Sequence, residues 1–215
     1  MKPDSPRRTP DRDAALAQYR QRAGLYDVEL ALFEPIRQRA ILELGLRRGA
    51  TVLDIGCGTG LSFALLQSGV QAQGRIVGIE QCPEMMAQAR QRVERMGWRN
   101  VTLLCAPVEE ANIAVTADAA LLHFTHDILR RPEAVDAVIG HLRPRACVVA
   151  AGLKWAAPWA WPTNLFVWAA ALHSVSSMDG LDAPWTCLAA RLENLQVQTM
   201  LMETVYIARG ELAGH

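Results

Sequence analysis

Ala50-Thr-Val-Leu-Asp-Ile-Gly-Cys-Gly-Thr-Gly60 is the stretch on which the reading of this 215-residue chain turns. Thr51 to Ile55 is short and rich in β-branched residues, the composition of a buried strand. It runs at once into three glycines, and Leu61 to Ser68 then resumes with helical character. A strand that turns through glycines into a helix lets backbone approach a ligand closely and presents helix N–H groups to it. A dinucleotide fingerprint, G-x-G-x-x-G, would need its third glycine where Leu61 stands. The spacing here is G-x-G-x-G, with Asp54 two residues ahead of Gly56.

Downstream, Arg75 to Ile79 reads as a second strand, and Glu80 stands at its end. A carboxylate at that point offers two acceptors on one rigid group, as both hydroxyls of a ribose require. The alternation continues with a helix over Pro83 to Met96, a strand over Val101 to Cys105 and a strand over Ala117 to Phe124. A helix over Pro132 to Leu142 and a strand over Ala146 to Ala151 follow. Strands alternating with helices imply βαβ crossovers, hence a doubly wound α/β fold with a mainly parallel sheet. Two last strands, Gln196 to Leu201 and Thr204 to Arg209, are parted by only Met202 and Glu203. They predict an antiparallel hairpin at the C-terminus, for seven strands in all.

Upstream, Ala14 to Ala23 and Val28 to Leu46 carry helical periodicity. The predicted organisation is a flexible arm over residues 1–13, a helical cap over 14–46, a ligand-binding core over 47–152 and a tryptophan-rich lid over 153–195. The hairpin over 196–209 completes it, with a helix near Pro184 to Asn194 ahead of it.

Val52 to Gly60 resembles the first motif of class I S-adenosylmethionine (SAM)-dependent methyltransferases, and Ile79-Glu80 their second. The likeness covers roughly residues 19–152 and implies a Rossmann-like methyltransferase with SAM as cofactor. It implies that Asp54, Gly56, Cys57, Gly58 and Gly60 surround the methionine part of SAM, that Glu80 takes the ribose and that Gln81 flanks the adenine. The family's adenine-contacting aspartate belongs in Ala106-Pro107-Val108-Glu109, where Pro107 stands in its place. Either the Val108 backbone N–H or the Glu109 side chain would substitute.

On the acceptor side, Tyr26-Asp27 resembles a pair that precedes the core in menaquinone/ubiquinone-type and phospholipid N-methyltransferases, which implies that Tyr26 borders the transferred methyl. Leu122-His-Phe-Thr-His-Asp127 follows the fourth strand and makes His123, His126 and Asp127 candidates for a base, since histidine titrates near neutrality. Five of the six tryptophans fall between residues 155 and 185, suiting an apolar cover for a flat or greasy acceptor. The tetrapeptide with paired prolines used against adenine, glutamine and rRNA-base amines is absent.

Composition narrows the partners. Twenty-two basic side chains balance twenty-two acidic ones, so the total charge carries no footprint for nucleic acid. Five scattered cysteines without a C-x-x-C pair read as reduced thiols in a cytoplasmic protein without a structural metal. The apolar run Leu165 to Leu172 is too short to span a bilayer, though contact with a membrane surface is compatible with it. The reading that results is methyl transfer from SAM to a lipophilic or aromatic small molecule at oxygen or nitrogen. The alternatives are a phospholipid-headgroup N-methyltransferase and a non-catalytic SAM-binding partner subunit, with monomer and homodimer both open.

Overall fold

The computed structural model describes residues 33–157, 159–171 and 178–214. The predicted arm, most of the helical cap and Tyr26 lie outside them. The chain enters through α1 (Glu34–Glu43), then β1 (Thr51–Ile55), α2 (Phe63–Val70), β2 (Arg75–Ile79), α3 (Pro83–Met96) and β3 (Val101–Leu104). It continues through β4 (Ala117–His123), α4 (His126–Leu129), α5 (Pro132–Ile139) and β5 (Leu142–Leu153). Helices α6 (Trp161–Ala171) and α7 (Thr186–Ala189) precede β6 (Glu193–Met200) and β7 (Val205–Glu211).

The seven strands form one sheet in the order β3-β2-β1-β4-β5-β7-β6. β1 to β5 pair in parallel, whereas β7 runs antiparallel to β5 and to β6. The winding direction reverses between β1 and β4, which opens a crevice at their C-terminal ends. Helix punctuation follows the expected chemistry in α3, where Pro83 begins the helix and Gly97 ends it at φ +67°.

Side-chain alternation divides the core between the two faces. Val52 of β1 and Leu121 of β4 pack with Ile36, Ala40, Phe63 and Met86 on one face. Leu53, Ile55 and Leu122 pack with Val135, Val138 and Leu188 on the other. By the same period of two, Asp54 and His123 belong to the α1 face.

Three boundaries differ from the sequence reading. The helix expected over Pro184 to Asn194 shrinks to α7, because Glu193 onward pairs with β7. β5 is 12 residues long, because Leu142 already pairs with Ala117 and the sheet absorbs Arg143 to Ala146 as a bulge with Arg145 at φ +62°. The hairpin is looser than a two-residue turn: Leu201, Met202 and Glu203 all carry positive φ.

Candidate cofactor and acceptor site

β1 delivers the chain to the crevice, where Gly56, Gly58 and Gly60 adopt φ of +65°, +56° and +78°. Gly56 is obligatory on two counts. Its φ suits glycine, and a Cβ there would lie 2.5 Å from Thr125 Cγ2. The Cys57 N–H donates to the Ile79 carbonyl at 3.0 Å, and the Gly60 N–H to the Cys57 carbonyl at 2.9 Å. Glu80 joins the loop to the start of α3: Oε2 accepts the Gly58 N–H at 3.1 Å and Oε1 the Cys82 N–H at 2.7 Å. The carboxylate predicted to hold a ligand thus also holds the loop, with further lone pairs on each oxygen.

One cavity lies in the crevice, and its wall includes Gly56, Gly58, Glu80, Gln81, Val108 and His126. Those six residues, distant in sequence, are brought together. Asp54, Cys57 and Gly60 are buried behind the loop and do not form the cavity wall. The Cys57 side chain turns inward, where a Cβ on Gly78 would come 3.0 Å from its sulfur. Burial, first of all, pushes its thiol well above the ordinary range, so the side chain is an inert packing group.

Glu109 departs from expectation. It forms a two-pronged ion pair with Arg131, and it is Arg131 that reaches the cavity wall. A carboxylate so engaged is a poor acceptor for an adenine amine, which leaves Val108 of the two candidates named.

His123 is also corrected. Its Nε2 is enclosed without a hydrogen-bond partner, and burial together with the Arg37 guanidinium lowers its pKa to about 3. It therefore stays neutral and weakly basic near pH 7, unlike the near-neutral base expected, and it does not line the cavity. His126 does. Its Nε2 lies 3.1 Å from the Asp179 carbonyl, an acceptor only, so Nε2 carries the proton and Nδ1 is the basic nitrogen of the neutral ring. Asp127 also lines the cavity.

Electrostatics single out two carboxylates. Burial raises Asp54 from 3.8 to about 7 despite the opposing pull of Arg37, and Asp54 Oδ2 has no partner. Burial also raises Glu80, against hydrogen bonds from the Cys82, Gly58 and Gln81 backbone. Two carboxylates kept costly to ionise suit a cationic ligand.

Sequence reasoning missed Arg37 and Phe124. Arg37 lies within the buried stripe Ile36, Ala40, Ile41 and Leu44, a position at which a charge is itself a signal. Phe124 takes φ +57°, held by its N–H on the Ala151 carbonyl at 2.7 Å, and its ring forms part of the wall. No residue-type signal marks it, since phenylalanine has no preference for left-handed backbone.

The tryptophans divide. Trp155 packs on the core and Trp185 against Tyr206 at 5.1 Å, whereas Trp159, Trp161 and Trp168 are exposed. None of the five lines the crevice. No helix among the described residues is long and apolar enough to cross a membrane.

The residues present fit SAM. Gln81, on the cavity wall, has its Oε1 buried and unpartnered, and the glycine loop brings bare backbone to the cavity. A family model for protein-L-isoaspartate(D-aspartate) O-methyltransferase matches residues 34–110. A protein-L-isoaspartate O-methyltransferase of Ignicoccus hospitalis is 41% identical over 59 residues, 27% of this chain and 28% of that protein. Aklanonic acid methyltransferase DauC of Streptomyces sp. (strain C5) is 29% identical over 119 residues, 55% of this chain and 54% of that one. The chain thus spans about half or less of these relatives. N-methyltransferase NodS of Bradyrhizobium japonicum, solved with S-adenosyl-L-homocysteine, superposes with a TM-score of 0.68 at 18% identity, covering 92% of this chain and 98% of that one. Its glycine loop, its acid after β2 and this sheet order give the chain the fold of the class I SAM-dependent methyltransferases, to which these relatives and structures are similar.

Proposed function

We propose that the chain transfers a methyl group from SAM to a lipophilic or aromatic small molecule, at oxygen or nitrogen. The observation that carries this reading is the composition of the crevice at the β1/β4 switch point. Glu80 and Gln81 stand on one side of it, and Phe124, Ile128 and His126 on the other. Bound there, SAM supplies a methyl group activated by its sulfonium for in-line displacement. Glu80 and Gln81 hold the nucleoside, and Val108 meets the adenine. Phe124, Ile128 and Met85 present apolar surface that excludes water from the reacting atoms. His126, with its proton on Nε2, uses Nδ1 to take the proton that a phenol or ammonium acceptor must lose. Alignment of acceptor and donor supplies most of the rate.

Protein carboxyl methylation is the second reading, favoured by the description of the matched family. That match ends at residue 110, before β4, Phe124 and His126, so it bears on the cofactor half more than on the acceptor. The DauC likeness, which extends over 55% of this chain, supports a small-molecule acceptor.

The test is S-adenosylhomocysteine release with a panel of acceptors: lipophilic phenols and amines, phosphatidylethanolamine vesicles, and an isoaspartyl peptide. Turnover with the free phenols or amines is expected. Turnover confined to the vesicles or to the peptide would replace the proposal with the corresponding alternative. Tight cofactor binding without any turnover would favour the non-catalytic partner subunit.

A further inference from the structure

The crevice opens at the C-terminal ends of β1 to β5, and the loops that lead into those strands gather at the other end of the sheet. Two clefts lie between these loops, and Gly49 and Arg143 belong to both. One is walled by the α1–β1 loop, the start of β5 and the end of β7, and carries Arg47, Arg48, Arg145 and Arg209 besides Arg143. The other is walled by the loops before β2, β3 and β4, and adds Arg75 and Arg99. Seven arginines thus share the clefts with two acids, Asp118 and Glu211.

Both acids are already engaged. Asp118 pairs with Arg143 and accepts the Thr51 N–H at 2.7 Å, and Glu211 accepts from Arg209 at 2.9 Å. Arg48 donates from Nε to the neutral Gln73 side chain at 3.0 Å. No carboxylate among the described residues pairs with Arg47, Arg75, Arg99 or Arg145, and all four are exposed. Five guanidinium groups without a counter-charge repel one another, and a negatively charged partner relieves that repulsion.

The walls discriminate among polyanions. Single-stranded nucleic acid gains affinity by stacking bases on aromatic rings, and a membrane surface takes apolar anchors. Among the described residues, neither cleft has an aromatic wall or an exposed large apolar side chain. A nucleic-acid duplex is a long rod of charge that reaches well beyond the clefts. Because the whole chain is neutral, the rest of it carries five more acidic than basic side chains, and a rod meets repulsion there. A short acidic segment stays within the clefts, where a guanidinium clamps a carboxylate through two parallel N–H donors.

We propose that this basic end docks an acidic segment of a partner protein, leaving the crevice at the opposite end of the sheet open to cofactor and acceptor. The surface is independent of which acceptor the crevice takes.

The experiment measures binding of the full chain to a labelled octaglutamate peptide and a labelled DNA duplex by fluorescence anisotropy, and to phosphatidylserine vesicles by co-sedimentation. Octaglutamate should bind, and added salt should release it. Arg47→Gln, Arg75→Gln, Arg99→Gln and Arg145→Gln together should weaken it about tenfold or more, and leave S-adenosylhomocysteine affinity within twofold. Arg47→Gln with Arg145→Gln, and Arg75→Gln with Arg99→Gln, should each give part of that loss, so the test stands if the fourfold variant does not fold. Arg90→Gln with Arg95→Gln, exposed on α3 and outside both clefts, should bind like the unaltered protein. Absence of octaglutamate binding, an equal loss in the α3 variant, or a parallel loss of S-adenosylhomocysteine affinity overturns the proposal. Tighter capture of the duplex or of the vesicles, lost in the same cleft variants, would replace it with a nucleic-acid or membrane surface.

Discussion

Replacing Asp54 with asparagine should change how stability depends on pH, and the structure sets both the sign and the size. The folded Asp54 titrates near 7 against an ordinary value of 3.8. Between those values the unfolded chain has released the proton and the folded chain has kept it. Stability from this residue is therefore fully present below pH 4 and lost as pH rises toward 7. At about 1.4 kcal/mol per pH unit the loss totals about 4 kcal/mol. His123 acts in the opposite direction. Folded, it takes a proton only near pH 3, whereas unfolded it does so at 6.5, so its contribution is present above 6.5 and lost as pH falls toward 3. That loss totals about 5 kcal/mol. The two slopes nearly cancel between about pH 4 and 6.5, and each variant should unmask the other residue. The assay is urea unfolding of the ligand-free protein from pH 4 to 8. The stability of the unaltered protein minus that of Asp54→Asn should fall up to about pH 7 and then level. The same difference for His123→Gln should rise up to pH 6.5 and then level. Difference curves that stay flat would refute the burial of both groups.

Three further outcomes follow from named contacts. Glu80→Ala should weaken S-adenosylhomocysteine binding by about 2–4 kcal/mol in titration calorimetry, and, because Glu80 also anchors Gly58 and Cys82, should lower the melting temperature of the ligand-free protein; unchanged affinity in a folded variant would remove Glu80 from the site. Gly56→Ala should cost about 1–3 kcal/mol of stability from overpacking against Thr125, and adding Thr125→Ser, which deletes the offending methyl, should recover part of it in thermal melts; no recovery would assign the cost to backbone strain alone. His126→Ala should lower kcat by about 10²–10⁴ with an ionisable acceptor, leave S-adenosylhomocysteine affinity intact and flatten the acidic limb of the pH–rate profile, and an unaltered profile would sink the base assignment.

Asp54, Glu80 and the three glycines could be picked out because the features that mark them are local. Left-handed backbone at Gly56, Gly58 and Gly60 follows from residue type, and an acid at the end of β2 follows from chain position. The strand and helix periods predicted the layers, and the short gap before residue 204 predicted the hairpin. Where the gap was read as a tight turn, three residues of positive φ intervened between the paired Met200 and Val205, a backbone that their residue types disfavour.

Sequence alone thus determined the fold class, the switch-point crevice and the kind of cofactor, because these depend on backbone conformations written within a few neighbouring residues. Tertiary structure decided the state of each side chain. Glu109 and Arg131 lie 22 positions apart and pair only once the chain has folded. Burial gave Asp54 its proton and took His123's basicity, the latter with help from Arg37, which comes from another element altogether. Charge in a protein is governed by what lies within a few ångströms in space, and spacing along the chain carries little of that information.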